Sequence, residues 1–200
     1  MPPQESTPAP PEPRPGAILD RDGTLIDELG YLGDPEGVRL FPGAARAVRR
    51  LNRAGVPVAL VTNQSGVARG LFTEADLAAV HARLVRLLAA EGAHLDLILH
   101  APSHPDHPDP RLDVRAHWRK PEPGMVFAAA ERLGLDLSRS VSIGDAARDL
   151  EAAARAGVPR LFLVETGKGR TTLESLAANE RARTRSFPDL AAAVEAFLAG

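Results

Sequence analysis

Short apolar runs alternate with stretches of helical spacing along this chain. Residues 17–19 (AIL) form a three-residue apolar run that reads as a first strand. Residues 43–55 carry apolar side chains at helical intervals and end on Gly55, as a helix with a C-terminal glycine cap does. The run VPVALVT over 56–62 predicts a buried second strand. Residues 73–92 predict a long helix, opened by Thr73 with Asp76 three positions on, close to a capping box. LDLILH over 95–100 is a third strand, and a Pro- and His-rich loop follows over 101–118. A helix over 124–134, a strand over 140–144, a helix over 146–157, a strand over 160–164 and a last helix over about 189–198 complete the pattern. Strands alternating with helices predict right-handed βαβ units. The expected fold is therefore α/β: a Rossmann-like, doubly wound parallel sheet. Ligands in such sheets bind beyond the carboxyl ends of the strands.

Residues 1–15 break the pattern. They hold seven of the eighteen prolines and almost nothing apolar. Such a segment cannot bury enough surface to offset its ordering entropy, so a disordered tail is expected over 1–15, with one domain over 16–200. The hydrophobic fraction, 44%, is ordinary for a chain that builds a core, and with only 4% aromatics Ala, Leu and Val must fill it. A formal net charge of −2 offers no electrostatic footprint for nucleic acid or an anionic membrane. No apolar run approaches the roughly 20 residues of a membrane helix, and no secretory signal opens the chain, so a cytoplasmic protein is expected. The absence of cysteine excludes disulfides and thiolate metal sites.

Four polar clusters fall at or after strand ends. The first strand runs into LDRDGT, where Asp20 and Asp22, two apart, project to one side of an extended chain. An Asx turn is the bland alternative for a lone Asp-Gly, but the full string favours chemistry. The second strand ends in TNQSG. Thr62, Asn63 and Gln64 followed by glycine-rich backbone can cradle phosphate oxygens, or simply cap a turn. RKP places Arg119 and Lys120 together, a fork and a point charge for anions unless both are solvated surface cations. The fourth strand ends in GDAARD, with Asp145 at the strand end and Asp149 one helical turn on; a helix N-cap with a dipole partner is the alternative. Together they supply a nucleophile, an acid/base, a hydroxyl, a cation and metal ligands, the inventory of phosphoryl transfer through an aspartyl phosphate.

DRDGT, TNQSG, RKP and GDAARD resemble the four motifs of the haloacid dehalogenase superfamily, over residues 17–169. Within it, LDRDGTLIDELGYL and VTNQSGVARGLFTEADL are similar to the D-glycero-D-manno-heptose 1,7-bisphosphate 7-phosphatases, and the histidinol-phosphate phosphatases are also similar. The resemblance implies Asp20 as nucleophile and Asp22 as general acid/base. It implies Mg2+ held by Asp20, Asp145 and the backbone carbonyl of Asp22, with Thr62 and Lys120 on the transferring phosphoryl group and Asp149 in support. Asn63, Gln64, Arg69 and Arg119 are candidates for gripping substrate, Arg69 with a surface cation as its alternative. Tyr31 is a further candidate for gripping substrate, with packing as its favoured alternative. The spacings between motifs leave no room for a separate cap domain. Lys168, in TGKG, falls where the heptose enzymes have a similar loop; it is not a Walker motif.

Two departures qualify the resemblance. Heptose-type enzymes usually staple a loop with zinc, and here Ala101, Ser103, Ala116 and Trp118 stand at the four ligand positions. Zinc is therefore not expected, although His100, His104, His107 and His117 lie nearby. Ala146 stands where those enzymes often carry a lysine, removing one charge near the site. The expected substrate is a small phosphorylated sugar, with no nucleic-acid or membrane partner and a monomeric state. A histidinol-phosphate or other metabolite phosphatase is the first alternative, and a nucleic-acid 3′-phosphatase or an inactive binding domain come after it.

Overall fold

The computed structural model describes residues 12–113 and 116–200. Six strands form one parallel sheet: β1 (Ala17–Leu19), β2 (Val58–Asn63), β3 (Leu97–Ala101), β4 (Val141–Gly144), β5 (Arg160–Val164) and β6 (Thr184–Phe187), in the order β3-β2-β1-β4-β5-β6. The helices are α1 (Ala44–Arg53), α2 (Glu74–Ala90), α3 (Pro110–Asp113), α4 (Gly124–Leu133), α5 (Ala147–Arg155), α6 (Gly169–Ser175), α7 (Ala178–Arg181) and α8 (Leu190–Leu198).

The alternation of a strand sorts its side chains between two cores. Ala17, Leu19, Val58, Leu60, Val141 and Ile143 point to one face, where they meet Val48 and Leu51 of α1, Leu84 and Leu88 of α2 and Val194 of α8. Ile18, Ala59 and Val61 point to the other, against Met125 and Ala129 of α4 and Leu150 and Ala153 of α5. Apolar residues on both faces explain why these strands read as continuous apolar runs rather than alternating ones. α2 opens with the expected capping box between Thr73 and Asp76.

The first three strands step outward from β1, and the chain then returns to place β4 on the other side of β1. Leu19 is in register with Leu60 on one side and Ile143 on the other. The strand order thus reverses between β1 and β4, and a crevice opens there at the carboxyl ends.

Four elements differ from the sequence reading. β6 and the short helices α6 and α7 occupy a stretch with few apolar residues, and a helical turn, α3, interrupts the 101–118 loop. Of the expected tail, residues 1–11 lie outside the described residues. Arg14 is held: its N–H donates to the Gly134 carbonyl at 3.1 Å and its carbonyl accepts from Asp136 N–H at 2.9 Å. No helix among the described residues is long and apolar enough to cross a membrane.

Candidate active site

Asp20 follows β1 directly and its N–H donates to the Ile143 carbonyl at 3.0 Å, which sets it in the crevice between β1 and β4. Asp145 follows β4 and is fully buried; Asp149 lies in the first turn of α5 and is buried too. Carboxylate oxygens of Asp20, Asp145 and Asp149 all lie within 4.8 Å of one another. Into this cluster the 101–120 segment delivers Lys120, buried, its Nζ 2.6 Å from Asp20 Oδ1 and 2.6 Å from Asp149 Oδ1, and donating to the Val61 carbonyl at 2.9 Å. Burial works against the ammonium charge, but Asp149 and Asp20 outweigh it and hold Lys120 above its usual range. Burial pushes the Asp20 carboxyl up to about 7; Lys120 pulls it down, while Asp149, Asp145 and Asp22 add to the rise.

Three carboxylates facing one ammonium leave this pocket short of positive charge. Asp149 is already used on both oxygens, by Lys120 and by the Ala146 N–H at 3.0 Å. Asp145 accepts the Lys168 N–H on Oδ2 at 2.8 Å, but its Oδ1 is buried without a hydrogen-bond partner. Burial pushes the Asp145 carboxyl up to about 6, against the pull of that N–H. An orphaned buried carboxylate oxygen beside Asp20 fits a hard divalent cation with oxygen ligands, as Mg2+ is. The backbone is built for this closeness. A Cβ on Gly23 (φ +79°) would sit 2.0 Å from Asp145 Oδ2, and one on Gly167 (φ +54°) would sit 2.3 Å from the same atom. The loop after β5 is tied there by the Thr166 hydroxyl, which donates to the Gly23 carbonyl at 2.6 Å.

Asp22 is held by residues that the sequence reading did not single out. Arg21, fully buried, donates from Nε and Nη2 to the Asp22 carboxylate at 3.0–3.2 Å. Its Nη1 lies 3.3 Å from His81 Nε2 on α2, and because Arg21 can only donate, that nitrogen accepts. Burial, with Arg21 and His100, pushes His81 down to about 3, so the ring is neutral. Gln64 Nε2 donates both to Asp22 Oδ2 at 2.9 Å and to Thr62 Oγ1 at 2.8 Å. Asn63 exchanges two bonds with the Lys120 backbone, at 2.9 and 3.0 Å. The amides of Asn63 and Gln64 align Lys120, Asp22 and Thr62, and both residues also line the cavity described next.

A cavity of about 300 Å³ opens above these groups. Asp20, Asp22 and Thr62 lie at its floor, and Tyr31, Arg69, His104, Arg119, Arg148, Glu28 and Lys168 line its walls. Arg69 and Arg119, the two cationic candidates for gripping substrate, both line this cavity. Tyr31 is not packed: its ring is 53% exposed at the rim, with the Arg69 guanidinium 5.9 Å from its centroid. Arg148 was missed, yet it brings a cation to a wall where Ala146 cannot. The one signal in the sequence was a cation in the first turn of a predicted helix, against the helix dipole.

Residues 17–79 match the model for haloacid dehalogenase-like hydrolases, and residues 117–193 match that for HAD-hydrolase-like proteins. A D-glycero-D-manno-heptose-1,7-bisphosphate 7-phosphatase of Thermosynechococcus vestitus is 45% identical over 190 residues, 92% of this chain and 95% of that one. The chain belongs to the haloacid dehalogenase superfamily. The D-glycero-beta-D-manno-heptose-1,7-bisphosphate 7-phosphatase of Bordetella bronchiseptica is 42% identical over 182 residues, 90% of this chain and 96% of that one. Among solved structures, the D,D-heptose 1,7-bisphosphate phosphatase of B. bronchiseptica, crystallised with magnesium and phosphate, superposes with a TM-score of 0.80 at 40% identity, covering 92% of this chain and 98% of that one. For this superfamily hydrolase the fold thus agrees with the sequence reading: a Rossmann-like sheet, with no separate cap domain among the described residues.

The four histidines of the loop region do not converge. His100 Nε2 lies 2.9 Å from Glu74 Oε2; His104 and His107 both turn to Arg69; His117 packs edge-on against Trp118. Among the described residues, the one group of three or more side chains able to hold a metal is Asp20, Asp145 and Asp149.

Proposed function

We propose that this chain is a Mg2+-dependent phosphomonoester hydrolase that removes the 7-phosphate of D-glycero-D-manno-heptose 1,7-bisphosphate through an aspartyl phosphate. The observation that carries the reading is the buried Asp20 carboxylate, 2.6 Å from Lys120 and followed by Asp22, at the switch point of a parallel sheet. The names of relatives alike over nearly the whole chain support the substrate. A cavity of about 300 Å³ suits one sugar bisphosphate. A free metabolite of this kind suits a cytoplasmic enzyme acting as a monomer.

In the first step an Asp20 oxygen attacks phosphorus in line. The new bond is Asp20 Oδ–P, the bond lost is P–O to the sugar, and Asp22 gives its proton to the departing oxygen. In the second step Asp22 takes a proton from water, whose oxygen attacks phosphorus, releasing inorganic phosphate and restoring the Asp20 carboxylate. Lys120 offsets the charge of the phosphoryl oxygens, and the Thr62 hydroxyl donates to one of them. Arg21 and Gln64 hold Asp22 in place between the two steps. Mg2+, held by Asp20, Asp145 and the Asp22 carbonyl, would supply further positive charge for the phosphoryl group.

The test compares kcat/KM for heptose 1,7-bisphosphate, fructose 1,6-bisphosphate, histidinol phosphate and a 3′-phosphorylated oligonucleotide, with Mg2+ present. The heptose bisphosphate should lead. Preference for histidinol phosphate or the oligonucleotide over every sugar bisphosphate would sink the reading.

A further inference from the structure

Arg148 carries a charge that no hydrogen bond or ion pair meets among the described residues. It is the second residue of α5, where aligned peptide dipoles place positive potential, so a cation is disfavoured there. It lines the cavity that holds Asp20. Desolvation on the cavity side works against its charge although the residue is solvent-exposed, and Asp149, Asp20, Asp145 and Glu28 sustain that charge from a distance.

The other cations on the cavity walls are already engaged. Lys168 pairs with Glu28 at 3.1 Å. Arg69 donates to His107 and His104, each at 3.0 Å, and lies over Tyr31. Arg119 spends one N–H on the Ser103 carbonyl at 3.0 Å. Burial holds Arg119 below its usual range, and the charges of Arg148 and Arg69 press it the same way. Like charges gathered from three segments, with one fork unengaged, are costly in the empty cavity and favourable once a dianion lies between them.

We propose that Arg148 is the specificity-determining contact to the phosphate that stays on the substrate, its planar fork gripping two phosphate oxygens while Arg119 closes from the opposite side. This rests on the bisphosphate reading above. It assigns the remote anion to Arg148 and Arg119 in preference to Arg69, whose fork the two histidines occupy.

The experiment measures kcat/KM for D-glycero-D-manno-heptose 1,7-bisphosphate and for the 7-monophosphate, in the wild type, Arg148→Ala and Arg148→Lys. Arg148→Ala should lower the ratio of bisphosphate to monophosphate kcat/KM roughly 10–100-fold, the worth of a lost charge-assisted contact, with most of the change in KM for the bisphosphate. Arg148→Lys should recover only part of that ratio, because the charge remains and the fork does not. The residue is exposed on a helix end, so both variants should melt within a few degrees of the wild type. A wild type that does not prefer the bisphosphate would overturn the functional reading, and this proposal with it. A wild-type preference that Arg148→Ala leaves within threefold would overturn the role of Arg148 alone.

Discussion

A buried aspartate can act as a nucleophile only if something else carries the local charge. At Asp20 that is Lys120, 2.6 Å away, with the buried Asp145 Oδ1 left without a hydrogen-bond partner nearby. Asp20→Asn removes the nucleophile and a metal ligand while keeping shape, so turnover should vanish while the melting temperature holds or rises. Residual activity above a few per cent of wild type, measured on any aryl phosphate with Mg2+, would exclude the aspartyl phosphate. Asp22→Asn should cost about 10²–10⁴-fold in kcat, the usual worth of general acid/base help. Asp20, Asp22 and Asp145 were legible as residue types at strand ends, and Lys120 as a cation in the RKP run after the loop. Arg21 and His81 were not, because sixty positions separate them in sequence and only the packing of α2 beside β1 brings them together.

At the scale of elements, the segment from β3 to α4 departs most from what its resemblance implies. With no thiolates, it is held by other means. Asn63 fastens the Lys120 backbone from β2, and Arg119 binds the Ser103 carbonyl. Ala101 is fully buried, and Trp118 packs against the α4–α5 core with the Arg132 guanidinium 5.7 Å from its ring centroid. These contacts predict a loop that holds its shape without zinc. A zinc-selective chelator should leave melting temperature and activity unaltered, whereas Trp118→Ala should destabilise by about 1–3 kcal/mol, less than a fully buried tryptophan because the ring is half-buried. Urea unfolding and elemental analysis measure both; one zinc per chain would reverse the conclusion. The same scale shows where pattern reading stops. β6 has the sequence TRSF and lies at the sheet edge, so it needs no apolar run to be held, and periodicity gives no sign of it. Asn63 and Gln64 illustrate a different limit: pattern reading gives an amide at a strand end but not the bonds it makes to Lys120 and Asp22 across the fold.

Across the whole molecule, binding and stability should be linked, because the cation site joins the ends of β1 and β4 with the loop after β5. Mg2+ at tenfold its dissociation constant should add about 1.4 kcal/mol, or ~3–6 °C in melting temperature for a chain of this size. The rise should disappear in Asp145→Asn; a Mg2+-induced rise of the same size in that variant would place the ion elsewhere. The sequence by itself determined the alternation of strands and helices, and hence the parallel sheet, because buried strands and amphipathic helices must each show their periodicity locally. It also determined the kinds of chemistry available, since Asp20, Thr62, Lys120 and Asp145 each sit where a strand ends or a loop turns. Only the tertiary structure decided which of these meet. Strand order put β1 beside β4 and so Asp20 beside Asp145, and the long loop returned Lys120 between Asp20 and Asp149. The same is true of the cavity walls: whether Arg69, Arg119 or Arg148 has a fork to spare depends on neighbours from other segments. Periodicity is a property of one element, whereas charge compensation in a cleft is a property of several, fixed only when they pack.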